Sequence, residues 1–165
     1  MRILIVSDTH RENKNYFKLL EKLQPLDMII HCGDVEGSEY VMTRSVECPV
    51  MMVAGNNDYF NSLPKELEFN IGKYKVLLVH GHDYYVYMGP EILQEEARSR
   101  EVDIVMFGHT HKPFLQIDKE LVTLNPGSLS YPRQEGRRPS YALIDVAFIV
   151  CSHCSTRMTL IKELC

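Results

Sequence analysis

The chain has 165 residues, with 18 basic and 22 acidic side chains, a net charge of -4 and 45% apolar residues. That length and apolar share fit one compact domain, residues 1–165, with a real core. The negative balance argues against a nucleic-acid polymer or an anionic membrane as the main partner, and no stretch approaches the roughly 20 apolar residues of a membrane span.

Ile3 to Val6 is a short all-apolar run that stops at Ser7-Asp8-Thr9-His10, which predicts a strand buried on both faces. Tyr16, Leu19, Leu20 and Leu23 recur at helical spacing, so Asn15 to Leu23 reads as a helix, ended by Pro25. Met28 to Ile30 reads as a second strand, running into His31-Cys32-Gly33-Asp34. A weak helix over Ser38 to Ser45 precedes a third strand, Val50 to Ala54, which breaks at Gly55-Asn56-Asn57-Asp58. This β-α-β-α-β order predicts parallel strands with helical crossovers. Lys75 to Val79 is a strand ending at His80-Gly81-His82-Asp83, Pro90 to Arg100 a helix, and Ile104 to Phe107 a strand ending at Gly108-His109-Thr110-His111. Phe114 to Ile117, Leu121 to Leu124 and Tyr141 to Val150 look like shorter strands without helices between them. These predict antiparallel pairing in a second sheet.

Each polar cluster follows a strand, where ligands of open α/β sheets bind. Clusters distant in sequence should therefore converge. They bring Asp8 and His10; Asp34; Asn56, Asn57 and Asp58; His80 and His82; and His109 and His111. Imidazole, carboxylate and amide oxygen together suit a divalent ion such as Mn, Fe, Co, Ni or Zn. On an extended strand residues two apart face the same side, so Asp-x-His and His-x-His pairs could each face one ion. The donors outnumber the needs of one ion. Two ions sharing a bridging carboxylate would use them all, could hold a hydroxide between them and could clamp a phosphate. Gly33, Gly55, Gly81 and Gly108, beside the candidates, would let the backbone turn tightly.

Asp8-Thr-His10, Gly33-Asp34, Gly55-Asn56-Asn-Asp58, His80-Gly-His82 and Gly108-His-Thr-His111, in that order, resemble the calcineurin-like metallophosphoesterase superfamily. The spacing is most similar to its small YfcE-type phosphodiesterase branch, which is related to Vps29, as are Asn125-Pro-Gly-Ser128 and Pro132-Arg133. The resemblance covers about residues 1 to 145. It implies an α/β fold, two packed mixed sheets flanked by helices in a four-layer sandwich. It also implies two divalent metal ions, with Mn2+ foremost and Ni2+, Fe2+, Co2+ or Zn2+ open. Asp8, His10 and His111 would hold the first ion, and Asn56, His80 and His109 the second, with Asp34 bridging. The implied activity is hydrolysis of small phosphodiesters by a metal-bridging hydroxide.

Many members of the superfamily have histidine where this chain has Asn57, and asparagine cannot donate a proton at neutral pH. Activated diesters should therefore be easier substrates than alkyl monoesters. Asn57 and Asp58 are candidates for the catalytic set beside Asp34, and Asn57 and Arg133 for substrate binding. Asp58 could instead cap a turn or orient Asn57, and Arg133 could be an ordinary solvated charge. His31 and His82 read as support or packing, His153 as structural, Cys32 as a small buried hydrophobe and Cys151-Ser-His-Cys154 as incidental. The odd, scattered cysteines and the absence of a signal-peptide layout at the N-terminus point to a reducing cytoplasm. The competing functions are a Vps29-like protein-binding scaffold that retains the metal site and a phosphomonoesterase. Members of the family often dimerise, so a homodimer is a further expectation.

Overall fold

The structure, a computed structural model, describes residues 1–59, 61–145 and 162–163. Chain order gives strands β1 (Arg2–Val6), β2 (Met28–His31), β3 (Val50–Met52), β4 (Glu66–Ile71), β5 (Tyr74–Val79), β6 (Ile104–Met106), β7 (Pro113–Ile117), β8 (Val122–Pro126), β9 (Ser140–Asp145) and β10 (Lys162–Glu163). The helices are α1 (Lys14–Leu23), α2 (Glu39–Arg44) and α3 (Glu91–Ser99). Short 3-10 turns cover His82–Tyr84 and Glu135–Arg137.

The strands form two five-stranded sheets, ordered β10-β9-β1-β2-β3 and β4-β5-β6-β8-β7. Strand β2 runs parallel to both β1 and β3, as the β-α-β-α-β reading requires. In the second sheet β5, β6 and β8 are parallel, while β4 and β7 are antiparallel edges.

Alternation along the strands explains why their sequences are apolar throughout. Ile3 and Ile5 of β1, Val76 and Leu78 of β5, and Ile104 and Met106 of β6 enter one core cluster between the sheets. Their neighbours point outward. Leu4 and Val6 pack with Tyr16, Leu19 and Leu20 of α1 and Met42 of α2. Leu77, Val79 and Val105 pack with Leu93 and Ala97 of α3. Helix, sheet, sheet and helix thus form the four layers expected, because each strand has an apolar face on both sides.

The second half differs from the sequence reading in four ways. The sheets divide between β3 and β4, so β5 and β6 already belong to the second sheet. The Leu121–Leu124 run pairs parallel with β6 on one side, and is antiparallel only to β7. The run beginning at Tyr141 returns to the first sheet as β9, antiparallel to β1. β4 had no counterpart in that reading. Its Leu67, Phe69 and Ile71 alternate with Glu66, Glu68 and Asn70, and a Gly72-Lys73 turn leads into β5. That is a period-two hairpin signal, weakened by the charges an exposed edge tolerates. Residues beyond 145 in the expected last strand, with Cys151, His153 and Cys154, lie outside the described residues. No helix among the described residues is long and apolar enough to cross a membrane.

Leu78 is fully buried between the sheets. Leu78→Ala should cost about 2–5 kcal/mol of unfolding free energy in a urea titration. Ile117→Ala, on the exposed side of β7, should stay within about 0.5 kcal/mol.

Candidate metal centre

Strands β1, β2, β3, β5 and β6 end at the same edge, and the loops that follow are tied by main-chain bonds. Asp8 N–H donates to Gly33 O (3.1 Å), His10 N–H to Asp34 O (3.0 Å) and Gly108 N–H to His80 O (3.0 Å). The Asn125–Ser128 segment adds two ties across the edge. Asn125 Nδ2 donates to Gly108 O at 2.7 Å, and the Ser128 hydroxyl donates to Asp8 O at 2.8 Å.

Asp8, His10, Asp34 and His111 place their ligand atoms within 4.8 Å of one another. His111 Nε2 lies 3.2 Å from Asp8 Oδ1 and 3.2 Å from His10 Nε2. Beside this set, Asn56 Oδ1 lies 3.1 Å from His80 Nε2 and 2.8 Å from His109 Nδ1. Asp34 joins the two groups: its Oδ2 is 3.7 Å from His10 Nε2 and 3.5 Å from His80 Nε2. The structure therefore gathers all seven predicted ligand residues, in two groups around one carboxylate.

The outer partners fix which ring nitrogens face inward. His10 Nδ1 meets the Glu36 carboxylate at 2.6 Å, His80 Nδ1 the Cys32 carbonyl at 2.7 Å, and His111 Nδ1 the Tyr131 carbonyl at 2.7 Å. Each partner is an acceptor, so each Nδ1 carries the hydrogen and each Nε2 presents its lone pair to the site. The close approach of His10 Nε2 and His111 Nε2 is then two lone pairs facing one point.

The carboxylates make the same demand. Asp8 and Asp34 are essentially inaccessible. Among the described residues only histidines pair with them, never Lys or Arg. Asp8 Oδ1 is buried and accepts no hydrogen bond. A buried carboxylate oxygen facing bare imidazole nitrogens fits a divalent cation, and the imidazole, carboxylate and amide donor set suits a transition ion.

Burial alone would raise the Asp34 carboxyl, but the hydrogen bond and charge of His80 and the amide donors of Asn57 outweigh it and hold it well below the usual carboxylate range. Burial likewise opposes ionised Asp8, yet His111, His80 and Ser7 keep its pKa lowered. Burial disfavours charged His80, but Asp34 and Asp8 more than compensate and raise its pKa. His109, half buried and beside His80, is lowered.

The backbone explains the pointing better than an extended strand does. Asp8, His10, Asp34, His109 and His111 all have positive φ, between 45° and 65°. They sit in left-handed turns past the strand ends, so residues two apart need not share a side. His109 turns to Asn56 while His111 turns to Asp8 and His10. Two of the glycines serve space rather than turning. A Cβ on Gly55 would meet Asp34 Oδ1 at 2.1 Å, and one on Gly108 would meet Ser7 Oγ at 2.0 Å.

The remaining candidates divide. Asn57 donates its main-chain N–H to Asp34 Oδ1 (2.9 Å) and its side-chain amide to Asp34 Oδ2 (2.8 Å), so it borders the centre. Asp58 does not reach it: its carboxylate accepts the backbone amides of Val35, Glu36 and Gly55, between 2.6 and 3.2 Å. That is the turn-capping alternative, and it braces the loops carrying Asp34 and Asn56. Arg133 lines a cavity of about 900 Å3 with His10, Glu36 and His111. His31 accepts Gly33 N–H at Nδ1 and bonds Thr9 Oγ1 through Nε2, and burial pushes its pKa down to about 4. It is a neutral strut between two loops. His82 lies against the rings of His80 and His109, at 5.4 and 6.1 Å. Sequence reading missed Glu36 and the Tyr131 carbonyl. Glu36 could have been suspected as a carboxylate two residues past Asp34, whereas a carbonyl leaves no residue-type signal.

Comparison with known proteins agrees with this geometry. Residues 1–147 match the calcineurin-like phosphoesterase superfamily domain. The chain belongs to that superfamily. It is 33% identical over 136 residues to a probable metallophosphoesterase of Methanocaldococcus jannaschii, covering 81% of this chain and 70% of that protein. A phosphodiesterase of the same organism is 27% identical over 77% of this chain and 83% of its own length. A predicted phosphoesterase of Streptococcus pneumoniae shares the fold, with TM-score 0.77 and 24% identity over 99% of this chain and 96% of that one. Wild-type Vps29 of Entamoeba histolytica, crystallised with Zn2+, superposes with TM-score 0.74 and 25% identity, over 88% and 86% of the two chains.

A proton would compete with any cation held at His80 Nε2. Mn2+ affinity should therefore fall as pH is lowered through the raised His80 pKa and recover above it, in calorimetric titrations from about pH 5 to about pH 8. Removing the Glu36 charge with Glu36→Gln should weaken Mn2+ binding about 10- to 100-fold at the upper end of that range.

Proposed function

We propose that the chain is a dinuclear-metal phosphodiesterase acting on small diesters. In this reading Asp8, His10 and His111 hold one divalent ion, Asn56, His80 and His109 hold the other, and Asp34 bridges them. Asp34 Oδ2 supports the bridging role, because it faces an imidazole nitrogen of each group. The mixed imidazole, carboxylate and amide set admits Mn2+ as it admits Ni2+, Fe2+, Co2+ or Zn2+, and Mn2+ is the ion the titrations probe.

Two ions held there would activate a water as nucleophile and neutralise charge on the phosphate oxygens. The chain's own residues supply the rest. Asn57 holds Asp34 by two hydrogen bonds, which fixes the carboxylate between the two groups. Its amide can also donate to a phosphate oxygen, but it carries no proton to give a leaving group. Arg133 is anchored by its main-chain N–H on His111 O at 3.0 Å, beside the centre. No ion pair engages its guanidinium among the described residues, leaving a planar fork for phosphate oxygens. Asp58 acts by holding the Asp34 loop and Gly55 in place rather than by touching substrate.

The single observation that carries the reading is the pair of ligand groups sharing Asp34. The phosphodiesterase among the relatives supports the diester, as does the lack of a proton donor at Asn57. The scaffold reading draws on the likeness to Vps29. A complete ligand set beside an open cavity of about 900 Å3 favours catalysis over that alternative.

With Mn2+ present, an activated aryl phosphodiester should be hydrolysed faster than the matching monoester. Asp34→Asn should lower kcat/KM for the diester at least about 100-fold. Metal binding without turnover of either ester would favour the scaffold.

A further inference from the structure

Two cavities flank the metal centre, and Arg133 lines both. The larger opens on the His10 and His111 side. The other, of about 500 Å3, opens on the His109 side. A phosphate held between the two ligand groups and Arg133 would have one ester arm at the mouth of each.

The second cavity is built for an apolar arm. Val86, Tyr87 and Met88, from the segment after β5, form one wall, and Phe107 and Phe114 another, their rings 6.3 Å apart. Tyr87 and Met88 are 66% and 78% exposed, although both are large and one is wholly apolar. Side chains that gain little from the fold while lining a cavity beside a reactive centre are placed to meet a ligand. Lys112 also lines this cavity, and like Arg133 it has no ion pair among the described residues. The lining thus combines apolar side chains with two cations, Lys112 and Arg133.

We infer that this cavity is a subsite for an aromatic ester arm, so that the favoured substrate is a phosphodiester carrying an aryl or nucleobase-like ring on the His109 side. The inference rests on the phosphodiesterase reading and adds the substrate class. Tyr87 and Phe114 offer ring faces and edges for stacking, and Met88 a polarisable thioether that adapts to ring shape. Arg133 and Lys112 hold the phosphate at the mouth.

The test separates binding from turnover. Calorimetric titration with Mn2+ present would compare diphenyl phosphate with dimethyl phosphate, for the wild type and for a Tyr87→Ala, Met88→Ala double variant. Both side chains are mostly exposed, so the double variant should fold, and its Mn2+ stoichiometry verifies that it has. The wild type should bind diphenyl phosphate at least about tenfold more tightly. In the double variant that preference should shrink to about twofold. Equal affinities in the wild type, or a preference the double variant keeps, would overturn the subsite whether or not any ester is hydrolysed. A preference lost in the double variant, without turnover of an activated diaryl phosphate, would leave the subsite standing and refute the phosphodiesterase reading.

Discussion

Burying an ionised carboxylate costs several kcal/mol unless an opposite charge lies close by. Asp8 and Asp34 are both buried, one beside the other's histidine partners, and neither meets a lysine or arginine among the described residues. Among the described residues the charge set against them is a proton on an imidazole, and Asp34 and Asp8 raise the pKa of His80 accordingly. Much else follows from this unbalanced charge. Glu36, the Cys32 carbonyl and the Tyr131 carbonyl turn three rings so that their lone pairs point inward, adding donors for a cation. Such a centre is poor as a piece of folding and good as a metal site.

Holding it requires strain elsewhere. Five of the seven ligand candidates have left-handed backbone, which costs a non-glycine residue of order 1–3 kcal/mol. The four-layer packing and the ties between loops offset that cost. Asp58 braces the Asp34 loop through two backbone amides and the Asn56 loop through that of Gly55, His31 links Thr9 to Gly33, and Ser128 fastens the Asp8 carbonyl. The same strain turns His109 and His111 towards different groups, so that neighbouring residues serve both halves of the centre.

Much of this was legible in the sequence because the relevant signals are local. Runs such as Ile3–Val6 and Lys75–Val79 are apolar on both faces wherever they sit, and polar clusters at strand ends announce a site. Which sheet a strand joins is a long-range matter, so the antiparallel pairing of the Leu121–Leu124 run with β7 is legible in the sequence, whereas its parallel pairing with β6 and the return of the Tyr141 strand to β1 are not. The edge strand Glu66–Ile71 hid behind its glutamates. The strand-end clusters gather as their positions predict, but alternation along an extended strand does not explain their spacing, because positive φ at aspartate and histidine leaves no trace in residue type. Gly55 and Gly108 were noticed for the wrong property. They leave room for Asp34 and Ser7, and a clearance of that kind exists only once the loops have met.

The central claim is that five separated loops meet to form two cation sites sharing Asp34. Anomalous diffraction from Mn2+-soaked crystals tests it most directly. The account predicts two peaks flanking the Asp34 carboxylate, one among Asp8, His10 and His111 and the other among Asn56, His80 and His109. A single peak, or ions held by other side chains, would contradict it.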